Sequence, residues 1–272
     1  PAWQAYCFGY RRGLMPNPNN WTREQTLAAL HVYLQLPFGQ LHQRNPTIKE
    51  LAGWIGRTPG AVALKLVNLA SLDPQIAASG RAGMANASNL DREVWAALNA
   101  NWDAVATDAA LAYERYGSAH GVLPGSDVLD EVPDLGEGKT ITAVVQVRVN
   151  QARFRRAVLA SYNARCCISG LKVPRLLIAS HIVPWSEDHT NRLNPRNGLC
   201  LSALHDKAFD QGLITVLPDF RVRVSKELRT AHADEFTRAA IAAFDGRPIR
   251  LPERFKPDEA FLTAHAKRFG FL

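Results

Sequence analysis

Ile178-Ala179-Ser180-His181-Ile182-Val183-Pro184, then Asn197-Gly198-Leu199, then Leu204-His205-Asp206-Lys207-Ala208-Phe209-Asp210-Gln211-Gly212-Leu213-Ile214 are the three blocks on which the reading of this chain turns. Leu176, Leu177 and Ile178 make a short apolar run that predicts a strand, and Pro184 takes the chain out of it. Residues 191–197 read as a loop, with Pro195 and the turn pair Asn197-Gly198. Residues 199–209 predict a turn running into a helix, which Gly212 stops, and residues 213–217 predict a last strand. Strand, histidine, loop, asparagine, then a helix bearing His205 and Asp206 is a compact order for metal-assisted hydrolysis.

Phosphodiester cleavage needs a base to activate water and a divalent cation to neutralise charge on the phosphate and the leaving oxygen. It also needs a group that keeps the base's ring in the right tautomer. His181 is the candidate base and Asn197 the candidate orienter. The helix carrying His205 and Asp206 is the candidate metal platform.

Together with Arg165-Cys166-Cys167-Ile168-Ser169-Gly170-Leu171, these blocks resemble the HNH endonucleases, in the branch of bacterial restriction endonucleases. The resemblance spans residues 148–217, about a quarter of the chain. It implies a ββα-metal fold with His181 as general base, Asn197 holding the loop that positions it, and a metal ligand at the third position of the motif. Two departures stand out. The residue before the base is often an acid in this family, and here it is Ser180. The third-position ligand often lies nine residues after the asparagine, which lands on Asp206, whereas His205 lies at eight. Asp206 suits Mg²⁺, the expected metal, and His205 suits a softer ion such as Mn²⁺, Ni²⁺ or Zn²⁺. Asp210, four residues on, shares a helix face with Asp206 and is a possible helper.

Charge is distributed unevenly along the chain. Residues 117–138 hold five acids (Asp127, Asp130, Glu131, Asp134, Glu137) and no Lys or Arg. Residues 138–186 hold eight bases and no acid, among them Arg148, Arg153, Arg155 and Arg156. That run exceeds the net charge of the whole chain, +7, and predicts a phosphate-facing surface. Four scattered cysteines support neither a four-thiolate zinc site nor a disulfide scaffold, and they read as small buried side chains. His31, His42, His120, His189, His232 and His265 lack partners at catalytic spacing, and Glu187 and Asp188 read as a solvated loop.

The first 116 residues read as helical. Thr22-x-x-Gln25 and Thr47-x-x-Glu50 are capping-box patterns, and Thr58-Pro59 can start another helix after Gly56. Residues 47–55 and 58–69 predict a helix-turn-helix-like unit whose second helix presents Ala61, Lys65 and Asn68 outward, towards DNA. Residues 91–116 predict one further helix, residues 140–149 a strand and residues 150–163 a helix with Phe154 and Val158 inward. Residues 219–272 read as a covering segment with helices at 239–244 and 257–269.

The expectation is an α+β protein: a helical DNA-recognition domain (1–116), an acidic linker (117–138) and an HNH nuclease domain with its covering segment (139–272). Its function would be metal-dependent cleavage of double-stranded DNA, of restriction type, by a homodimer. The alternatives are a modification-dependent endonuclease and a DNA-binding regulator with a decayed nuclease module. At 272 residues and 47% hydrophobic content the chain can bury a core. No apolar run approaches the roughly 20 residues of a membrane span, and the first residues lack the pattern of a signal peptide, so a cytoplasmic protein is expected.

Overall fold

The structure is a computed structural model, and it describes residues 20–80, 86–124, 141–229 and 234–272. The five acids of the expected linker lie outside these residues, as do Cys7, Lys139 and His232.

Helix α1 (Arg23–Gln35) begins as expected. Thr22 Oγ1 accepts from the Gln25 N–H at 3.1 Å and Gln25 Oε1 accepts from the Thr22 N–H at 3.3 Å, a closed capping box. Helix α2 (Pro46–Trp54) starts differently from expectation. Its cap is Asn45, whose Oδ1 accepts from Thr47 and Ile48 N–H, and Thr47 sits inside the first turn. Asn outranks Thr as a cap, and Pro46 is preorganised for the first helical position. Gly56 turns the chain with φ +65°, and Thr58 caps α3 (Pro59–Ala70). Helix α4 (Pro74–Ala78) is short. The single helix expected over 91–116 is two, α5 (Asn89–Ala100) and α6 (Trp102–Ser118). They break at Asn101, which leaves helical φ/ψ so that its side chain can cap Ala104 N–H.

The expected outward face of α3 is corrected. Lys65 is 4% exposed and Asn68 9%, while Leu64 is 52% exposed. Lys65 Nζ lies 2.6 Å from Asp91 Oδ1, and Asp91 also accepts from Ser88 N–H to close the capping box of α5. Helix α3 packs against α1, α2 and α5, so its buried stripe is wider than a two-helix unit would need. Neither residue can reach a base edge from this position.

The strand expected over 140–149 is also corrected. Residues from Ile141 belong to α7 (Ile141–Ser161). A β-branched run reads as a strand by propensity, but propensity is a weak prior. The helix continues because it is packed from two sides, by α1 and by the hairpin, which bury Val149, Ala152, Phe154 and Val158. Arg153, expected to face phosphate, is buried and holds Glu114 of α6 at 2.6 Å.

Two small antiparallel sheets complete the α+β architecture. Strand β1 (Leu177–His181) pairs with β2 (Gly198–Ser202), with Leu177 opposite Ser202 and His181 opposite Gly198. Residues 199–202 were expected as a turn; they form this fully buried strand, and α8 (Ala203–Asp210) starts directly from it with Ser202 as cap. Strand β3 (Ile214–Val216) falls where a last strand was expected and pairs with β4 (Val222–Val224). Helices α9 (Lys226–Arg229), α10 (Glu235–Ala240) and α11 (Glu259–Arg268) follow.

The C-terminal segment does more than cover. Arg254 is fully buried and donates to the carbonyls of Tyr33, Leu34 and Leu36, the exposed end of the α1 ladder. Phe255 N–H donates to Asp73, and its ring meets Tyr33, Trp95 and Trp102. The helical layer and the sheets thereby share one core. Among the described residues, no helix is long and apolar enough to cross a membrane.

Candidate active site

The site is built where α7 presses on the β1–β2 hairpin. A Cβ at Gly198 would sit 2.5 Å from Val158 Cγ2 and 2.9 Å from Phe154 Cζ, so only glycine admits the helix this closely. Directly across the hairpin, His181 stacks on the Phe154 ring with centroids 3.7 Å apart and planes at 12°. Trp185 meets the imidazole edge-on.

His181 Nε2 lies 3.0 Å from the Arg192 carbonyl oxygen. A carbonyl only accepts, so Nε2 carries the proton and Nδ1 the lone pair. Among the described residues, no group bonds Nδ1. Burial holds the imidazole pKa below its ordinary value, opposed by the bond to the Arg192 carbonyl. The ring is therefore neutral at neutral pH, with an available lone pair on one defined nitrogen.

The Asn197 side chain makes its hydrogen bonds to the loop and not to His181. Its Oδ1 accepts from Val183 N–H at 2.8 Å, and its Nδ2 donates to the Val183 carbonyl at 3.0 Å. These bonds staple the two ends of the loop that carries Arg192. Arg192 adds a bond from Nε to the Trp185 carbonyl, with its guanidinium over the Trp185 ring. The orienting carbonyl is thus fixed, and the tautomer of His181 with it.

Neighbouring strand residues point to opposite faces, so Ser180 looks away from α7 and towards α8. Its buried hydroxyl has no hydrogen-bond partner. It lies near the Asp206 carboxylate and favours its ionised form, though outside hydrogen-bond geometry. Burial is the main influence on Asp206 and raises its pKa, and the charge of Asp210 raises it further. Asp210 is itself raised by partial desolvation. The Asp206 carboxylate thus lies near both the Ser180 hydroxyl and, one helical turn on, the Asp210 carboxylate.

His205 occupies a different environment. Its Nδ1 lies 2.9 Å from Ser202 Oγ and 3.7 Å from Cys166 Sγ, and its Nε2 lies 2.9 Å from the Ala240 carbonyl. The carbonyl requires a proton on Nε2, and the Ser202 hydroxyl can donate to Nδ1. Both nitrogens are occupied inside the protein.

Of the other expected residues, Arg148, Arg155 and Arg156 are half-buried on α7. Arg155 donates to the carbonyls of Leu177 and Pro174. Cys166, Cys167 and Cys200 are buried and free, as read. His265 is a satisfied core histidine, with Thr215 Oγ1 at Nδ1 and the Phe209 carbonyl at Nε2. Glu187 accepts from Arg268, and Asp188 accepts from Thr190 and Asn191 within its own loop. Phe154, Arg192 and Val183 were not anticipated. Phe154 is one apolar residue among many on its helix, and the other two act through backbone atoms that carry no side-chain signature.

Residues 166–217 match the family model described as HNH endonuclease. A search of curated proteins finds no match. The matched stretch contains both strands of the hairpin, its loop and α8, that is, every residue of the site except Phe154. An HNH endonuclease domain in this part of the chain supports nuclease activity on DNA.

Proposed function

We propose that this protein is a divalent-metal-dependent endonuclease that hydrolyses phosphodiester bonds of double-stranded DNA. The carrying observation is His181: a neutral imidazole with Nε2 tied to a fixed carbonyl and Nδ1 open, on a strand whose other face meets α8, the helix that bears Asp206 and Asp210. His181 Nδ1 takes a proton from the attacking water while Nε2–H stays on the Arg192 carbonyl, so the imidazolium that forms keeps its hydrogen bond. Placing the base on one side of the strand end and the carboxylates on the other suits in-line displacement, with water entering opposite the leaving oxygen.

The residues fit a hard cation in part. Asp206 and Asp210 supply anionic oxygen and Ser180 a neutral, unpartnered one, while no group of three His, Cys, Asp or Glu gathers among the described residues. One or two carboxylates, completed by waters and substrate phosphate, is how Mg²⁺ is commonly held. When bound, the ion would stabilise charge on the phosphate and the leaving oxygen. His205, with both nitrogens engaged, instead ties α8 to the Ala240 end of α10.

The resemblance to the bacterial restriction endonucleases supports restriction-type cleavage, and a two-fold dimer would let two such sites cut both strands. The test is incubation of plasmid with Mg²⁺ or Mn²⁺, on methylated and unmethylated DNA. Nicked or linear product that disappears with chelator is expected. Asp206→Ala should lose most cleavage or demand far more metal, and His205→Ala should keep the metal requirement of the parent. Intact plasmid under all metals, or normal cleavage by Asp206→Ala, would sink this assignment.

A further inference from the structure

Away from the catalytic face, two clefts meet at Asn163. The first, about 940 Å³, lies between residues 37–40 and the C-terminal half of α7, and Arg155, Arg156 and Arg175 line it. The second, about 350 Å³, is lined by Arg165, Lys172 and Arg250. Asn163 lines both. The only carboxylate on either wall is Glu253, which is itself engaged. Among the described residues, no carboxylate pairs with Arg165, Lys172, Arg175 or Arg250.

Arg250 reaches this place from the far end of the chain by specific means. Its backbone N–H donates to the Cys167 carbonyl at 2.8 Å, docking the C-terminal strap on the turn over residues 166–171. Gly170, at φ +78°, lies in that turn, and a Cβ there would approach Arg250 Nε to 3.3 Å. Glycine therefore leaves room for the guanidinium to lie along the turn. At the junction of the clefts, Asn163 and Ala164 hold successive positive φ values of 51° and 48°. That conformation is unfavourable for alanine, and it bends the chain between the two clefts.

We infer that the joined clefts are a nucleic-acid backbone groove, binding phosphates of the same molecule whose scissile bond lies at His181. The inference rests on the nuclease reading. Arg165, half-exposed, and Lys172, Arg175 and Arg250, exposed, have no carboxylate partner among the described residues, and cations spread over two open clefts match a line of phosphates better than one small anion, which a single enclosed pocket would hold. Arg155 links groove to site, because it bonds the Leu177 carbonyl at the start of the strand that ends in His181. Four strand steps at ~3.3 Å are roughly 13 Å, about four base steps along a duplex at ~3.4 Å each. The C-terminal segment thereby acquires a role in substrate binding through Arg250.

The experiment is fluorescence anisotropy with a labelled DNA duplex over a KCl series, in a His181→Ala background that cannot consume the probe. The triple variant Arg165→Ala, Lys172→Ala, Arg250→Ala should bind at least about tenfold more weakly at low salt. Its log–log salt slope should flatten by roughly 0.9 per lost phosphate contact. A double variant Arg165→Lys, Arg250→Lys keeps the charge and should keep the slope. A control triple of equal charge change, Arg221→Ala, Arg223→Ala, Arg229→Ala, should leave the slope in place. An unchanged slope in the groove variant, or an equal loss in the control, overturns the groove. Wild-type protein that cuts plasmid while the groove variant's slope stays unmoved defeats the groove alone. A flattened slope with plasmid left intact supports the groove and counts against cleavage.

Discussion

Polar side chains are buried both around α3 and around the β1–β2 hairpin, but they are matched differently. Beside α3, Lys65 meets Asp91 at 2.6 Å, and the same carboxylate closes a helix cap. On α7, Arg153 meets Glu114 in the same way. These groups are committed to each other, and they set how helices sit. At the hairpin, His181 keeps one nitrogen without a partner, Ser180 keeps its hydroxyl unbonded, and Asp206 is held near Asp210 against their mutual repulsion. Polar groups left with open valence on the two faces of one strand end, Ser180 buried and His181 and Asp206 half-buried, make a site, because each can gain by meeting water, cation or phosphate. Within the hairpin module His205 makes the same point in reverse: a more deeply buried histidine with both nitrogens bonded is structural.

The sharpest way to break this contrast is at His181. His181→Ala should reduce cleavage by about 10²–10⁴-fold, the range for loss of a general base, with DNA affinity nearly unchanged. Cleavage at the parental rate would show that the open nitrogen is not the base. The matching test on the other side is Lys65→Ala, which strands Asp91 without its cation. Breaking a buried pair costs about 3–5 kcal/mol, so a large fall in melting temperature is expected, with the folded protein binding DNA as before. A stable variant with weakened DNA binding would return α3 to the role of reader.

A third test uses acid. Burial depresses His265 from 6.5 to about 4, opposed by the Phe209 carbonyl. The unfolded chain therefore binds its proton first, and stability falls as pH drops from 6.5 towards 4. The full difference corresponds to roughly 3 kcal/mol, read as the shift in denaturant midpoint between pH 7 and pH 4. His265→Gln should flatten that dependence. If the pH profile of the variant matches the parent, some other buried group governs acid sensitivity.

The site was legible in the sequence because its elements are local. A strand, a proline exit, Asn197-Gly198 and a capped helix fall within some forty residues, and their spacing alone brings His181 and Asp206 onto one module. Capping at Thr22 and Thr58 was equally legible, since a cap is decided within one helical turn. What tertiary structure decided was which side of each element is inside. Helical spacing puts Lys65 on a face, but only the arrival of Asp91 from α5 makes that face the interior. The run after Thr140 has a strand's composition, yet it opens α7, whose later turns pack against α1 and the hairpin and whose Phe154 becomes the floor under His181. Between neighbours on α8, His205 and Asp206, spacing was nearly neutral; the Ala240 carbonyl and Ser202 claim the first, and Ser180 and Asp210 surround the second. Local sequence fixes directions within a turn or two, whereas the partner that satisfies or leaves open a buried polar atom comes from residues far along the chain.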